Sequence, residues 1–323
     1  MEDEGLKIFN RLEKMPVPLL PTMVGAITLA NYMQGLGFEW VRHVTVWAAI
    51  AIWLCYVGKI VLFPKTCKGE YDKTIIRSLY AGFTMIMMGV SGYLLPYAPA
   101  FAKMLWLTAI VIHACHILYF TYRSVIKEFS WDTFMPSWFV TYNGIMVSTV
   151  VGGGMNEPLI GKIIVYYGIS VYCLIIPFMV YRLVTKKINV NFYHTQAIVL
   201  APCSLCLVSY VNFIENKNIY LLGFLYTCVL LSLAFIIIRL PKFFSLAFTP
   251  GYAGMTFPMA IGTVASAKMA GVLGAMGYGK LSGVVTEIAG FQFYLTTMIV
   301  GYVLLQFVMK WIAVKAPEAA TQA

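Results

Sequence analysis

Acidic side chains are scarce in this chain. Thirteen Asp and Glu stand among 323 residues, and only Glu287 falls well inside an apolar run. Cation pathways and proton relays in membranes carry carboxylates at depth, so this scarcity argues against a cation carrier and against coupling through a buried acid. Charge of either sign is thin, 11% of residues against 60% hydrophobic. Soluble chains carry about 25% charged residues, so the solvent here is a bilayer. The opening MEDEGLKIFNRLEKM has no apolar core or small-residue cleavage site of a signal peptide and reads as a short cytosolic tail.

Reactive groups are equally sparse. Seven cysteines and four histidines are present. No cysteine pair in the outer loops suggests a disulfide, and Cys203-Ser-Leu-Cys206 lies in an apolar span without a second pair, which favours packing over metal or redox chemistry. His113 and His116 share one helical face. Interhelical hydrogen bonding is the simpler reading, and a haem-binding oxidoreductase subunit is the alternative. No covalent chemistry, metal or cofactor is expected.

What the chain does contain is apolar runs of spanning length. Ten fall near residues 17–36, 42–63, 75–95, 100–122, 134–154, 159–183, 194–213, 219–240, 251–274 and 283–313. Tails of 1–15 and 314–323 would flank a membrane domain of 16–313. The formal charge of +10 is unevenly placed. With the N-terminus inside, 17 of the 23 Lys and Arg fall on the cytoplasmic side, a positive-inside bias that places both termini in the cytoplasm and explains the charge without nucleic acid.

The odd spans recur at a pitch near 57–60 residues, which predicts five helical hairpins. Odd spans hold small residues, among them Gly25, Gly89, Gly144, Ser148, Ser204, Gly262 and Ser266, and most of the intramembrane prolines, including Pro136, Pro202 and Pro258. Even spans are bulky throughout. Close helix packing explains small residues anywhere; that they and the prolines favour the odd spans points to five inner helices around a cavity and five lipid-facing ones outside. The expected fold is an all-α membrane protein with quasi-five-fold symmetry around a central pore. Inner helices starting at the cytoplasmic face would present positive dipole ends there, favouring anions. Lys268 and Glu287, at similar depth on adjacent spans, suggest an ion pair; the alternative places Lys268 on the pathway.

Three segments carry a family resemblance: PVPLLPTMVGAITLA (16–30), FMPSWFVTYNGIMVST (134–149) and MTFPMAIGTVASA (255–267). In order and spacing they resemble the tellurite-resistance/dicarboxylate transporter family, which includes bacterial TehA and the plant slow anion channels. The resemblance implies a homotrimer in a plasma or inner membrane, with one pore per protomer closed by a phenylalanine on span nine, here Phe257. Pro258 would bend the helix and aim that ring into the neck. Phe83, at similar depth on span three, is a candidate second ring, and Thr256 joins the candidate pore-lining residues. The implied activity is passive conduction of small monovalent anions such as chloride, nitrate or formate, with carriage of C4-dicarboxylates or of tellurite-like oxyanions as the alternative.

Overall fold

The computed structural model describes residues 11–313; most of the tail 1–15, and all of 314–323, lie outside the described residues. Every regular element among them is helical. Among the described residues, eight helices are long and apolar enough to cross a membrane. Two further segments occupy the places of the first and fifth spans. The first is a 17-residue helix, α1 (Leu19–Gly35). The fifth is broken into α7 (Trp138–Tyr142), a 3-10 turn at Gly144–Met146, α8 (Val147–Val151) and a second 3-10 turn at Gly152–Met155.

The remaining inner segments are α4 (Thr74–Leu79) with α5 (Ala81–Leu94), α10 (Leu200–Phe213) and α12 (Thr256–Ala275). The outer helices are α2 (Glu39–Leu62), α6 (Pro99–Phe120), α9 (Pro158–Thr185), α11 (Ile219–Phe244) and α13 (Gly279–Ala313). One short helix, α3 (Pro64–Tyr71), joins the first two hairpins.

The ring closes on itself. α1 packs on α5, α5 on α8, α8 on α10, α10 on α12, and α12 back on α1. Each outer helix lies between its own inner partner and the next: α2 touches α1 and α5, α11 touches α10 and α12, and α13 touches α12 and α1. Burial follows this layering. The inner spans Thr74–Leu94, Val190–Phe213 and Pro250–Ala275 are 78%, 83% and 67% buried over their apolar stretch, whereas no outer helix exceeds 33%. The bulky residues of the even spans therefore face outward, as a lipid-facing layer requires.

Local sequence explains the joints. Pro64, Pro99 and Pro158 each open a helix, where the missing N–H costs nothing. The Asn218 side chain accepts from the Tyr220 and Leu221 N–H groups and caps α11. The first and last hairpins turn alike. Gly37 (φ 94°) and Gly277 (φ 86°) end α1 and α12 in the left-handed region. The following N–H reaches back five residues, Phe38 to Met33 and Tyr278 to Leu273, the bond of a Schellman turn.

Prolines behave differently from the kinks expected of them. Pro21, Pro202 and Pro258 each occupy the third position of their helix. Pro202 and Pro258 follow 3-10 stretches, Val190–Val199 and Pro250–Met255. They therefore mark where 3-10 geometry gives way to α-helix, because a first-turn proline lacks only an N–H that has no intrahelical acceptor. Pro136 precedes α7 and its carbonyl accepts from the Phe139 N–H. No inner helix is bent by a proline in its middle.

Candidate functional site

Two cavities lie along the axis of the ring. One, of about 320 Å3, opens among the starts of the inner segments and is lined by Pro18 and Pro21, Ile75 and Leu79, Val140, Phe192 and Ile198, Thr249 to Gly251, and Ala253 and Gly254. The other, of about 460 Å3, lies toward their ends, between Val24 to Gly35, Met85 to Gly92, Val147 to Val151, Val264 and Lys268. Phe257 is the one residue in both linings among the described residues, and it is 5% exposed. Its ring stands between the two spaces.

Phe257 is held from behind by α1. A Cβ on Gly25 would sit 2.6 Å from the Phe257 N and 2.7 Å from the Thr256 carbonyl carbon, so only glycine lets α1 approach this backbone. The same device recurs around the ring. Gly82 abuts Leu20 and Pro21 of α1, and Gly262 abuts Leu200 of α10. Gly25→Ala is expected to lower stability by about 1–3 kcal/mol, because backbone cannot yield as a side chain can. Gly223→Ala on α11, where a Cβ meets nothing within 4 Å, is expected to be neutral in the same detergent melt.

The other site residues are not all brought together. Phe83 stacks on Trp53 of α2, with ring centroids 5.1 Å apart, and lines neither cavity. Pro258 lines the start-side cavity, and Gly89 and Lys268 line the end-side one. Gly144 faces His113 and Met85, with no room for a Cβ. Ser148, Ser204 and Thr256 donate to the carbonyls of Ile145, Leu200 and Ala253, local bonds that small hydroxyls form in preference to facing a pore. Ser266 accepts from the Tyr226 hydroxyl of α11 at 3.3 Å. Of these four, only Ser266 joins two helices; the other three hydroxyls are satisfied within their own segments.

The pairing expected between Lys268 and Glu287 does not form among the described ion pairs. The buried face of α13 runs through Val285, Ala289 and Gln292. Two positions along a helix are about 200° apart, so Glu287 faces away from α12. Lys268 is left on the cavity wall.

Arg42, one of the six basic residues outside the cytoplasmic set, belongs to this site. It lies in the first turn of α2 and lines the end-side cavity. Its Nε donates to Asn31 Oδ1 at 2.8 Å, and its guanidinium lies 5.1 Å from the Tyr93 ring centroid. That cavity therefore has two cations on its wall and no Asp or Glu, while the start-side cavity has no charged side chain in its lining. Arg77, the other cation near span three, instead binds the carbonyls of Tyr71 and Asp72 and the Ser124 hydroxyl. An anion would meet no repelling carboxylate at either lining.

The histidines are committed to helix packing. His113 shares hydrogen bonds with Thr84 Oγ1 (2.6 Å) and the Thr141 carbonyl (2.9 Å), and His116 with the Tyr71 hydroxyl (2.6 Å). Cys203 donates to the Leu200 carbonyl, and both it and Cys206 are fully buried.

Residues 17–313 match the family described as SLAC1, voltage-dependent anion channel. The chain belongs to the voltage-dependent anion channel family. The match covers all ten expected spans and agrees with the motif resemblance in residues 16–30, 134–149 and 255–267. Members of this family are all-helical membrane channels and transporters rather than enzymes. No curated protein matches the chain. Membership makes this a multi-pass anion channel or transporter, and the two cavities separated by Phe257 are its candidate pathway.

Proposed function

We propose that the chain is a passive channel for small monovalent anions such as chloride, nitrate or formate, with Phe257 as its gate. The carrying observation is that Phe257 alone joins the linings of both cavities. A ring of this size in a neck of Pro21, Leu79, Val140, Ile198 and Val24 excludes water, and an ion without water or compensating charge does not pass. Phe83, stacked on an outer helix, is no part of the gate. In this reading residues 16–313 cross the membrane ten times, the inner helices start at the cytoplasmic face, and both termini are cytoplasmic, in keeping with the 17 basic residues on that side. Three such protomers, each with its own pore, would assemble in a plasma or inner membrane.

A second reading, a C4-dicarboxylate carrier, draws support from Arg42 and Lys268 in the lining of one cavity, because a dianion calls for two cations. Flux into proteoliposomes separates the two. A channel brings labelled nitrate only to electrochemical equilibrium and is indifferent to a proton gradient. Labelled malate accumulating beyond equilibrium under a proton gradient would overturn the channel reading.

A further inference from the structure

We infer that the segments Val190–Val199 and Pro250–Met255 form one backbone joint that sets the rotation of helix α12, and that this joint is the part that loosens when Phe257 leaves the neck. The inference rests on the gate reading of Phe257 and adds the device that holds the ring in place.

Both segments are 3-10 helices, of ten and six residues, whereas runs of that kind beyond about four residues are uncommon. The reason lies in how the two meet. A Cβ on Gly251 would stand 2.8 Å from the Asn191 carbonyl oxygen, and one on Gly254 2.9 Å from that of His194. Only glycine lets these backbones approach so closely. On each side the two contact points are three residues apart. Three residues make one full turn of a 3-10 helix, so Gly251 and Gly254 form one straight row, and Asn191 and His194 another. In an α-helix, with about 3.6 residues per turn, the same positions would stagger by roughly 60°, and the rows would no longer meet at both points. The following prolines keep the geometry. α-Helix carried backward past Thr256 or Leu200 would drive the Pro258 ring against the Gly254 carbonyl and the Pro202 ring against that of Ile198.

A shared anchor ties the pair to the outer layer. The Phe243 carbonyl, near the end of α11, accepts from His194 Nε2 at 3.0 Å and from the Tyr252 hydroxyl at 2.7 Å. The two rings stack, with centroids 3.7 Å apart, and both residues are buried. Neither segment can turn without disturbing the other. Pro250–Met255 runs directly into Thr256 and Phe257, so a turn of the joint turns the ring.

The test pairs current recordings with hydrogen–deuterium exchange of the full chain in detergent. Gly254→Ala sets a methyl against the His194 carbonyl and is expected to raise anion current about tenfold with Phe257 intact, because the clash burdens the closed arrangement. Tyr252→Phe removes one anchor without adding bulk and is expected to give a smaller rise. Gly161→Ala on α9, whose Cβ would strike the Phe213 ring, loosens packing elsewhere and is expected to stay as silent as the native protein. In the exchange experiment Tyr252→Phe is expected to speed exchange in residues 190–199 as well as in 250–255. Should Gly254→Ala fail to fold, Tyr252→Phe decides by both readouts. Silence from the joint variants beside a conducting Phe257→Ala overturns the inference and leaves the gate standing. Equal current from Gly161→Ala overturns it too, as does faster exchange confined to 250–255. If Phe257→Ala carries no current, the gate reading falls, and faster exchange in both segments retains the joint alone.

Discussion

Phe257→Ala is expected to turn a nearly silent protein into a strongly conducting one. The ring is almost fully buried and stands between cavities of about 320 and 460 Å3. Removing it merges them into one continuous space walled by apolar side chains and, at the end side, by Arg42 and Lys268. Each ~1.4 kcal/mol taken off the barrier to an ion raises the rate tenfold, and a dewetted neck is a barrier of several such steps. The increase should therefore exceed about tenfold, with a reversal potential that follows the chloride gradient. Intermediate side chains such as Leu are expected to conduct less than Ala.

Glu70→Ala is expected to cost about 3–5 kcal/mol of stability, because it leaves a buried charge without its partner. Lys59 is fully buried, 2.7 Å from Glu70, and its ammonium also donates to the Met15 carbonyl at 2.8 Å. Glu70 accepts in addition from the Tyr80 hydroxyl at 2.6 Å. These bonds strap three pieces of the start-side cavity together. Met15 and Pro16, whose carbonyl accepts from Tyr56, lead directly into Pro18 and Pro21. Tyr80 is the joint between α4, which carries Ile75 and Leu79, and α5. The double variant Lys59→Met/Glu70→Leu removes both charges and is expected to be far milder than Glu70→Ala alone. Detergent melts of the three proteins measure this; a double variant that loses as much as Glu70→Ala, or more, would contradict it.

Much of the layering was legible in the sequence, because lipid and cavity ask for opposite side chains. Bulky even spans and small-residue odd spans sort by the solvent each meets, and the ring follows from that sorting. The broken fifth span was less legible: residues 134–154 read as one span, whereas the structure interrupts it with 3-10 turns at Gly144–Met146 and Gly152–Met155. Pro258 drew attention to the right place for an incomplete reason. It marks the onset of α-helix after a 3-10 stretch, and nothing in its local sequence tells which way the neighbouring ring points.

Two residues mark the limits of reading depth without rotation. Lys268 and Glu287 share a depth on adjacent spans, yet α13 presents Val285, Ala289 and Gln292 inward and turns Glu287 outward. Arg42 lies in the first turn of an outer helix, a layer expected to face lipid. Only the packing of α2 between α1 and α5 brings it beside Asn31 and Gly92 and into the cavity wall. Ser148, Ser204 and Thr256 lie on the inner segments as expected, but their hydroxyls are bonded to the carbonyls of Ile145, Leu200 and Ala253.

The most direct test of the account is planar-bilayer recording of the native chain beside Phe257→Ala and Phe83→Ala under a chloride gradient. The account predicts large anion currents from Phe257→Ala alone, with Phe83→Ala as silent as the native protein. Equal currents from all three proteins, or opening by Phe83→Ala and not by Phe257→Ala, would contradict it.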